Sequence, residues 1–398
     1  MPTNTVKNKK YIVKYKAITI YKRENVMKRI YNYLKKDAVL TISWVLAIIS
    51  MLFIKPDKAY AGYIDWRSLG ILWSLMIITK GYMQNGIFEK IGHALLARTR
   101  KMWQLIAVLV GLNFFSSMII TNDVSLITFV PFAIMMLKQC GRQELMIPVV
   151  VLQTIAANLG SMLTPIGNPQ NLYLYGLAGT GIGEFIMWLL PYTIASALLL
   201  VISILLIKNK NEIICIEDTD SEAAHNTSVP RVMAYSVLFV LALLVVARVL
   251  TWYILAAAVL ITVLLLEKNV LAKADYALLL TFIGFFIFTG NMGRVEPVAH
   301  FLAGIVNSRE LEVGIITSQC ISNVPAALLL SGFTDNIKNL SIGVNIGGLG
   351  TLIASMASLI SYKLYANEVP EKKGKYFAVF TVYNIIFLVV LYVFTKLI

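Results

Sequence analysis

The chain has 398 residues, of which 58% are hydrophobic and 14% charged, and a soluble fold of that size has no interior large enough to hide so much apolar surface. Its formal net charge of +14 is uneven: residues 1–37 hold eleven Lys/Arg against two acids, hence +9, directly ahead of an apolar run, which fits the cytoplasmic basic flank of a membrane protein better than a nucleic-acid-binding arm. Three cysteines and three histidines stand apart, without disulfide or metal-ligand spacing and without a nucleophile–base pair, so neither a resident cofactor nor an enzyme is expected.

In chain order, the basic segment 1–37 contains Met27 as an alternative start. The first span is Ala38 to Ile54, and the second runs from Ser68 to about Phe88, interrupted by Lys80. Glu89 to Lys101 is amphipathic and basic, which predicts an interfacial helix on the cytoplasmic side. Two apolar stretches, Met102 to Asn122 and Val124 to Leu137, flank Asp123 and are themselves flanked by basic segments. Both ends of this stretch therefore belong on one face, which predicts a re-entrant hairpin with Thr121, Asn122 and Asp123 at its tip. Leu145 to Gly183 is 39 residues without a charge, more than a crossing of roughly 30 Å requires. Gly160, Pro165, Gly167, Asn168 and Pro169 lie in its middle, and proline removes a backbone donor, so this helix is predicted to break there. Phe185 to Ile207 has 23 residues without a charge and closes a first membrane unit over 38–207. An acidic linker over 208–230 follows.

The second unit, 231–398, begins with spans near 232–246, Val249 to Leu266 and Tyr276 to Gly293. A polar or interfacial piece covers 294–312, and a second hairpin is predicted over Val313 to Thr334 with Ser322-Asn323-Val324 near its turn. Asn339 to Tyr362 is a second Gly-rich span, and Tyr376 to Ile398 ends the chain. The expected architecture is all-α and polytopic, with nine full spans and two hairpins.

The two units repeat one another. Asn158-Leu159-Gly160-Ser161-Met162-Leu163-Thr164 lies beside Asn345-Ile346-Gly347-Gly348-Leu349-Gly350-Thr351, and Thr121-Asn122-Asp123-Val124 beside Ser322-Asn323-Val324-Pro325. Asp65-Trp66 and Asp275-Tyr276 open similar spans. With the N-terminus inside, the units have opposite orientation, as in secondary transporters that build a midplane site from inverted repeats with discontinuous helices. Backbone broken inside lipid is tolerated where it lines a cavity, and half-helix N-termini present N–H groups and a positive dipole end to anions. Asn122 and Asn323 carry donors and acceptors for such a substrate, and Gly160 and Gly347 let backbones approach. Asp123, a carboxylate at membrane depth, is the candidate for binding a coupling cation or carrying a proton. Asn158, Thr164 and Asn345 join it with the two glycines as candidate ion-site residues.

These motifs resemble the ion transporter superfamily of divalent-anion/sodium symporters, citrate–metal symporters, arsenical pump membrane proteins and NhaD-type antiporters. Thr121-Asn122-Asp123 with Pro131, Thr164-Pro165-Ile166-Gly167-Asn168-Pro169-Gln170-Asn171 and Ser322-Asn323-Val324-Pro325 carry the resemblance, and the second of these is similar to the citrate-transporter-like domain. In the dicarboxylate symporters a Ser-Asn-Thr triplet in each hairpin binds carboxylates. The resemblance thus implies substrate contacts from Thr121, Asn122, Ser322 and Asn323, with Asn168, Asn171 and Thr351 as further candidates. Neither triplet is intact here, and the Asn-Asp and Asn-x-Pro forms lean toward the arsenical-pump and antiporter branches. The implied activity is secondary transport of a small anion, such as citrate or a dicarboxylate, across the inner membrane. Sodium or protons would be the coupling ion, with an elevator-like mechanism in a homodimer. Arsenite or oxyanion efflux, and sodium/proton antiport through Asp123, are the alternatives.

Overall fold

The computed structural model describes residues 38–96, 99–207, 212 and 228–398, and every regular element among them is a helix. The basic arm and nearly all of the acidic linker lie outside the described residues. The first unit contains α1 (Ala38–Phe53), a short α2 (Tyr60–Tyr63), α3 (Trp66–Gln84), α4 (Ile87–Leu96), α5 (Met102–Ser116), α6 (Asn122–Gln139), α7 (Met146–Ser161), α8 (Pro169–Ala178) and α9 (Ile182–Leu206). The second contains α10 (Val229–Val246), α11 (Trp252–Leu266), α12 (Tyr276–Gly293), α13 (Glu296–Val306), α14 (Glu310–Ile321), α15 (Asn323–Leu330), α16 (Ile337–Ile346), α17 (Met356–Glu368) and α18 (Lys373–Thr395). The order from α3 to α9 is the order from α12 to α18: span, amphipathic helix, hairpin, broken pair, span.

Local signals account for the boundaries. Asp65 and Asp275 cap α3 and α12 by accepting from the backbone N–H of Ser68 (3.0 Å) and Leu278 (3.1 Å). The predicted break after Asn158 falls between α7 and α8, and its counterpart after Asn345 between α16 and α17. Taken singly, five described helical segments are long and apolar enough to cross a membrane. α1 and α11 have 16 and 15 residues, and the broken pairs reach crossing length only together. Leu198, Val201, Leu265 and Val389 are among the large apolar side chains left exposed on α9, α11 and α18, an outer belt that lipid covers. The protein is a multi-pass membrane protein.

Two groups of helices make up the fold. α1 packs along α12, while α10 and α11 pack on α3, so α3 and α12, which open the repeated order, each rest on helices that precede that order in the other unit. The second group surrounds α7, in which every residue but Pro148 is buried. α5, α6, α9, α17 and α18 pack on α7; α14, α15 and α8 gather around α16. Lys138, in the last turn of α6, pairs with Glu368 at the end of α17. Lys396, just past α18, pairs with Glu312 in the first turn of α14 at 2.6 Å. α18 has 23 residues and so separates these two pairs by about 35 Å. The mouths of the two hairpins therefore lie toward opposite ends of α18.

Asp123 is half-buried, whereas two carboxylates that the sequence reading left aside, Glu267 and Glu310, are buried. Glu267 follows α11 and accepts from Arg231 (3.0 Å), the Tyr235 hydroxyl (3.0 Å) and Asn85 Nδ2 (3.1 Å), tying the ends of α3, α10 and α11 together. Glu267→Leu strands the buried Asn85 and Tyr235 donors and is expected to cost about 2 kcal/mol. Arg231→Met should cost less than half of that, because the Arg231 side chain is 45% exposed and water replaces part of the pair. Thermal midpoints of the two variants in detergent check the order; equal losses would contradict it.

Candidate transport site

Each hairpin tip docks on the break of its own unit through the same pair of bonds. In the first unit Thr164 Oγ1 donates to the Met118 carbonyl, and the Asn122 N–H donates to the Gly167 carbonyl at 3.1 Å. In the second, Thr351 Oγ1 donates to the Gln319 carbonyl at 3.2 Å, and the Asn323 N–H to the Ala354 carbonyl at 2.9 Å. Met118 and Gln319 each precede the hairpin asparagine by four residues; Gly167 and Ala354 each follow the threonine by three. The glycines obey the same register. A Cβ on Gly160 would lie 2.1 Å from the Phe114 carbonyl oxygen, and one on Gly347 would lie 2.9 Å from the Ile315 Cα. Phe114 and Ile315 both stand eight residues before the hairpin asparagine.

The breaks also cross-tie. Asn158, at the end of α7, accepts from Ser355 Oγ at 2.9 Å and donates to Ser358 Oγ at 3.4 Å. Asn345, at the end of α16, accepts from Asn168 Nδ2 at 3.1 Å and donates to Asn171 Oδ1 at 2.7 Å. Asn168 and Ser355 are the N-cap residues of α8 and α17. Each first half-helix thus ends on the start of the other unit's second half-helix. Asn122 joins this network by donating from Nδ2 to Asn158 Oδ1 at 3.2 Å.

Four helix N-termini meet in this region, and they are not equivalent. α8 is capped by Asn168, which accepts from the Asn171 N–H at 2.9 Å, and α17 by Ser355, which accepts from the Ala357 N–H at 3.2 Å. α6 and α15, the hairpin helices, begin at Thr121 and Ser322 with no side-chain cap. Of their first-turn N–H groups, those of Asn122 and Asn323 are taken by the Gly167 and Ala354 carbonyls, that of Asp123 by Asn122 Oδ1 at 2.9 Å, and Pro325 has none, so the Val124 and Val324 N–H groups and the positive dipole ends are left for a ligand. Ser322 holds φ at 76°, a left-handed conformation that a non-glycine residue adopts at a cost of about 1–3 kcal/mol and that marks functional turns.

The sequence-predicted residues separate accordingly. Thr121, Asn122, Ser322 and Asn323 are buried at the two uncapped starts, and Asp123 stands half-buried in the first turn of α6. Thr164 is half-buried and Thr351 exposed, each on its hairpin carbonyl. Asn158, Asn168, Asn171 and Asn345 are buried, and their amide groups are engaged with protein; Asn171 Nδ2 also donates to the Met162 and Thr164 carbonyls. Ser355, Ser358 and Gln319 were absent from the sequence reading. The repeat held the signal for the serines, since the spacing that sets Asn158 on Asn345 also sets Asn168 on Ser355 and Asn171 on Ser358. Arg248 closes the far end of α8. It donates to the Gly179 (3.0 Å) and Tyr175 (3.2 Å) carbonyls and so satisfies the C-terminus of α8.

Residues 33–338 match the citrate transporter family, CitMHS. The chain belongs to this family. It is 31% identical to an uncharacterized transporter of Methanocaldococcus jannaschii, over 90% of this chain and 97% of that protein. It is 29% identical to the inner membrane protein YbiR of Escherichia coli, over 81% of this chain and 87% of the relative. A 30% identity to the silicon efflux transporter LSI3 of Oryza sativa covers 37% of this chain and 30% of that one. A citrate transporter family member with a broken-helix core is a transporter and not an enzyme.

Proposed function

We propose that the protein is an ion-coupled secondary transporter of a small carboxylate, of the size of citrate or a dicarboxylate, in the cell's inner membrane. The observation that carries this reading is the pair of uncapped hairpin N-termini, α6 and α15, set beside two capped ones. A carboxylate placed between them would accept from the Val124 and Val324 N–H groups and from the Asn122 and Asn323 side-chain amides, with charge-assisted bonds of about 1.5–3 kcal/mol each. Asp123 supplies a reason for coupling. An anion about 5 Å from an ionised Asp123 is repelled by roughly 3 kcal/mol at an effective dielectric of 20, and a co-bound sodium ion or a proton on Asp123 removes that penalty. The matched hairpins with mouths at opposite ends, and the inverted repeats they suggest, fit alternating access in which the α7-centred group moves against the α3/α12 group. A homodimer joined through the α3/α12 group is the expected assembly.

The test is uptake of labelled citrate and succinate into proteoliposomes, with and without an inward sodium or proton gradient. Gradient-driven accumulation is expected, and Asn122→Ala or Asn323→Ala should reduce it by about 10–100-fold, the loss of one charge-assisted bond of about 1.4–2.7 kcal/mol. Unchanged uptake in both variants would remove the hairpins from the site.

A second reading is export of a neutral hydroxide such as silicic or arsenous acid. Asp123 favours it, because a carboxylate already sits at the positive end of α6, and the relative named as a silicon efflux transporter agrees with it. Absent carboxylate uptake by folded protein, together with metalloid efflux, would put this reading first.

A further inference from the structure

We propose that the protein carries a membrane phospholipid, with one acyl chain in a cavity between α3, α10 and the first hairpin and an anionic headgroup beside Lys90. The cavity has a volume of about 730 Å³, and no asparagine of the network is among its lining residues, although Ile119 and Ile120 lead into the hairpin tip. Its walls are aromatic and aliphatic: Tyr82 from α3, Phe88 from α4, Leu112 and Phe115 from α5, Phe129 from α6 and Phe239 from α10. The three lining hydroxyls are satisfied within the protein. Tyr82 donates to Ser236 Oγ at 3.1 Å, Ser236 to the Val232 carbonyl at 2.9 Å, and Ser116 shares a bond with Ser125 at 2.7 Å.

A bound water needs two to four polar partners, so this space does not hold water well. Left empty, walls of this area would forgo dispersion contacts on one side. The rim residues Ile91, Phe115 and Ile119 are 46%, 65% and 54% exposed, which makes the cavity continuous with the apolar surface that the bilayer covers. An acyl chain enters from that surface without leaving an apolar phase. Beside Ile91, Lys90 is exposed on the amphipathic α4, and Arg100 and Lys101 are exposed where α5 begins. These cations complement a phosphate headgroup at the end of the chain.

Gly111 lines the cavity, and a Cβ added there meets nothing within 4 Å. Gly111→Leu and Gly111→Trp therefore add side-chain volume to the cavity from a Cβ that has open space around it. The experiment is native mass spectrometry of protein released from nanodiscs of phosphatidylglycerol and phosphatidylethanolamine. Wild type is expected to retain a phospholipid, Gly111→Leu less, and Gly111→Trp about ten-fold less. Lys90→Ala should retain lipid with a weakened preference for phosphatidylglycerol. A wild type without phospholipid, or a Gly111→Trp variant that retains as much as wild type, overturns the proposal. An unchanged headgroup preference in Lys90→Ala overturns the headgroup contact. A thermal midpoint for each variant separates lost lipid from lost fold, and no readout depends on the transported substrate.

Discussion

Asn158→Ala is expected to lower stability by about 3 kcal/mol and to reduce transport by about 100-fold or more. The Asn158 carboxamide oxygen receives both Asn122 Nδ2 (3.2 Å) and Ser355 Oγ (2.9 Å), and the side chain is buried. Truncation leaves two buried donors without an acceptor, at about 1–3 kcal/mol each. The functional loss follows from the same geometry: Asn122, at the uncapped start of α6, loses the bond that aims its amide. Ser358→Ala removes only a 3.4 Å acceptor of Asn158 and should cost under about 1 kcal/mol. A double-mutant cycle between Asn158→Ala and Ser355→Ala should give a coupling of about 1 kcal/mol or more, since the two groups share one bond between the units. Thermal midpoints and proteoliposome uptake measure both effects. If Asn158→Ala melts like wild type, the cross-tie is not holding the breaks together.

Much of this network was legible as a repeat, because Asn158, Gly160 and Thr164 recur as Asn345, Gly347 and Thr351 with unchanged spacing. Sequence spacing reports which positions are equivalent, but not what they touch. The units could have closed each on itself; instead Asn158 reaches Ser355 and Asn345 reaches Asn168, an exchange across nearly two hundred residues that no local signal encodes. The same limit explains Asn168 and Asn171. Their motif marked them as polar groups at a break, yet their donors and acceptors are engaged with Asn345 and nearby carbonyls. Helix starts were visible at Asp65 and Asp275, where cap and apolar run are adjacent in sequence. The absence of a cap at Thr121 and Ser322 was not visible, because both are residue types that usually cap. Glu267 escaped notice for a related reason: at the end of an apolar run a carboxylate reads as a boundary residue, and only packing brings Asn85, Arg231 and Tyr235 to it.

Gly160→Ala is expected to be strongly damaging, more so than the equivalent methyl addition at Gly347 in the second break. The added Cβ would lie 2.1 Å from the Phe114 carbonyl oxygen and 2.7 Å from Ser117 Oγ. Ser117 has rotamers to use, but a backbone oxygen retreats only if α5 shifts. That shift pulls on the Thr164–Met118 and Asn122–Gly167 bonds, which fix the hairpin tip a few residues away. Overpacking of this kind costs about 3 kcal/mol, against a helix-propensity gain for alanine of at most about 1 kcal/mol. Gly347→Ala meets its nearest atoms at 2.8–2.9 Å, the Gly343 oxygen, Ile315 Cα and Ser318 Cβ, and should cost about half as much. Gly374→Ala, with nothing within 4 Å at the start of α18, should be neutral or slightly stabilising. Thermal midpoints of the three variants should therefore fall in the order Gly374, Gly347, Gly160. The ordering separates a docked hairpin from a loosely held one. A tip free to ride outward would absorb the methyl at Gly160 as easily as at Gly347, and the two variants would then melt together.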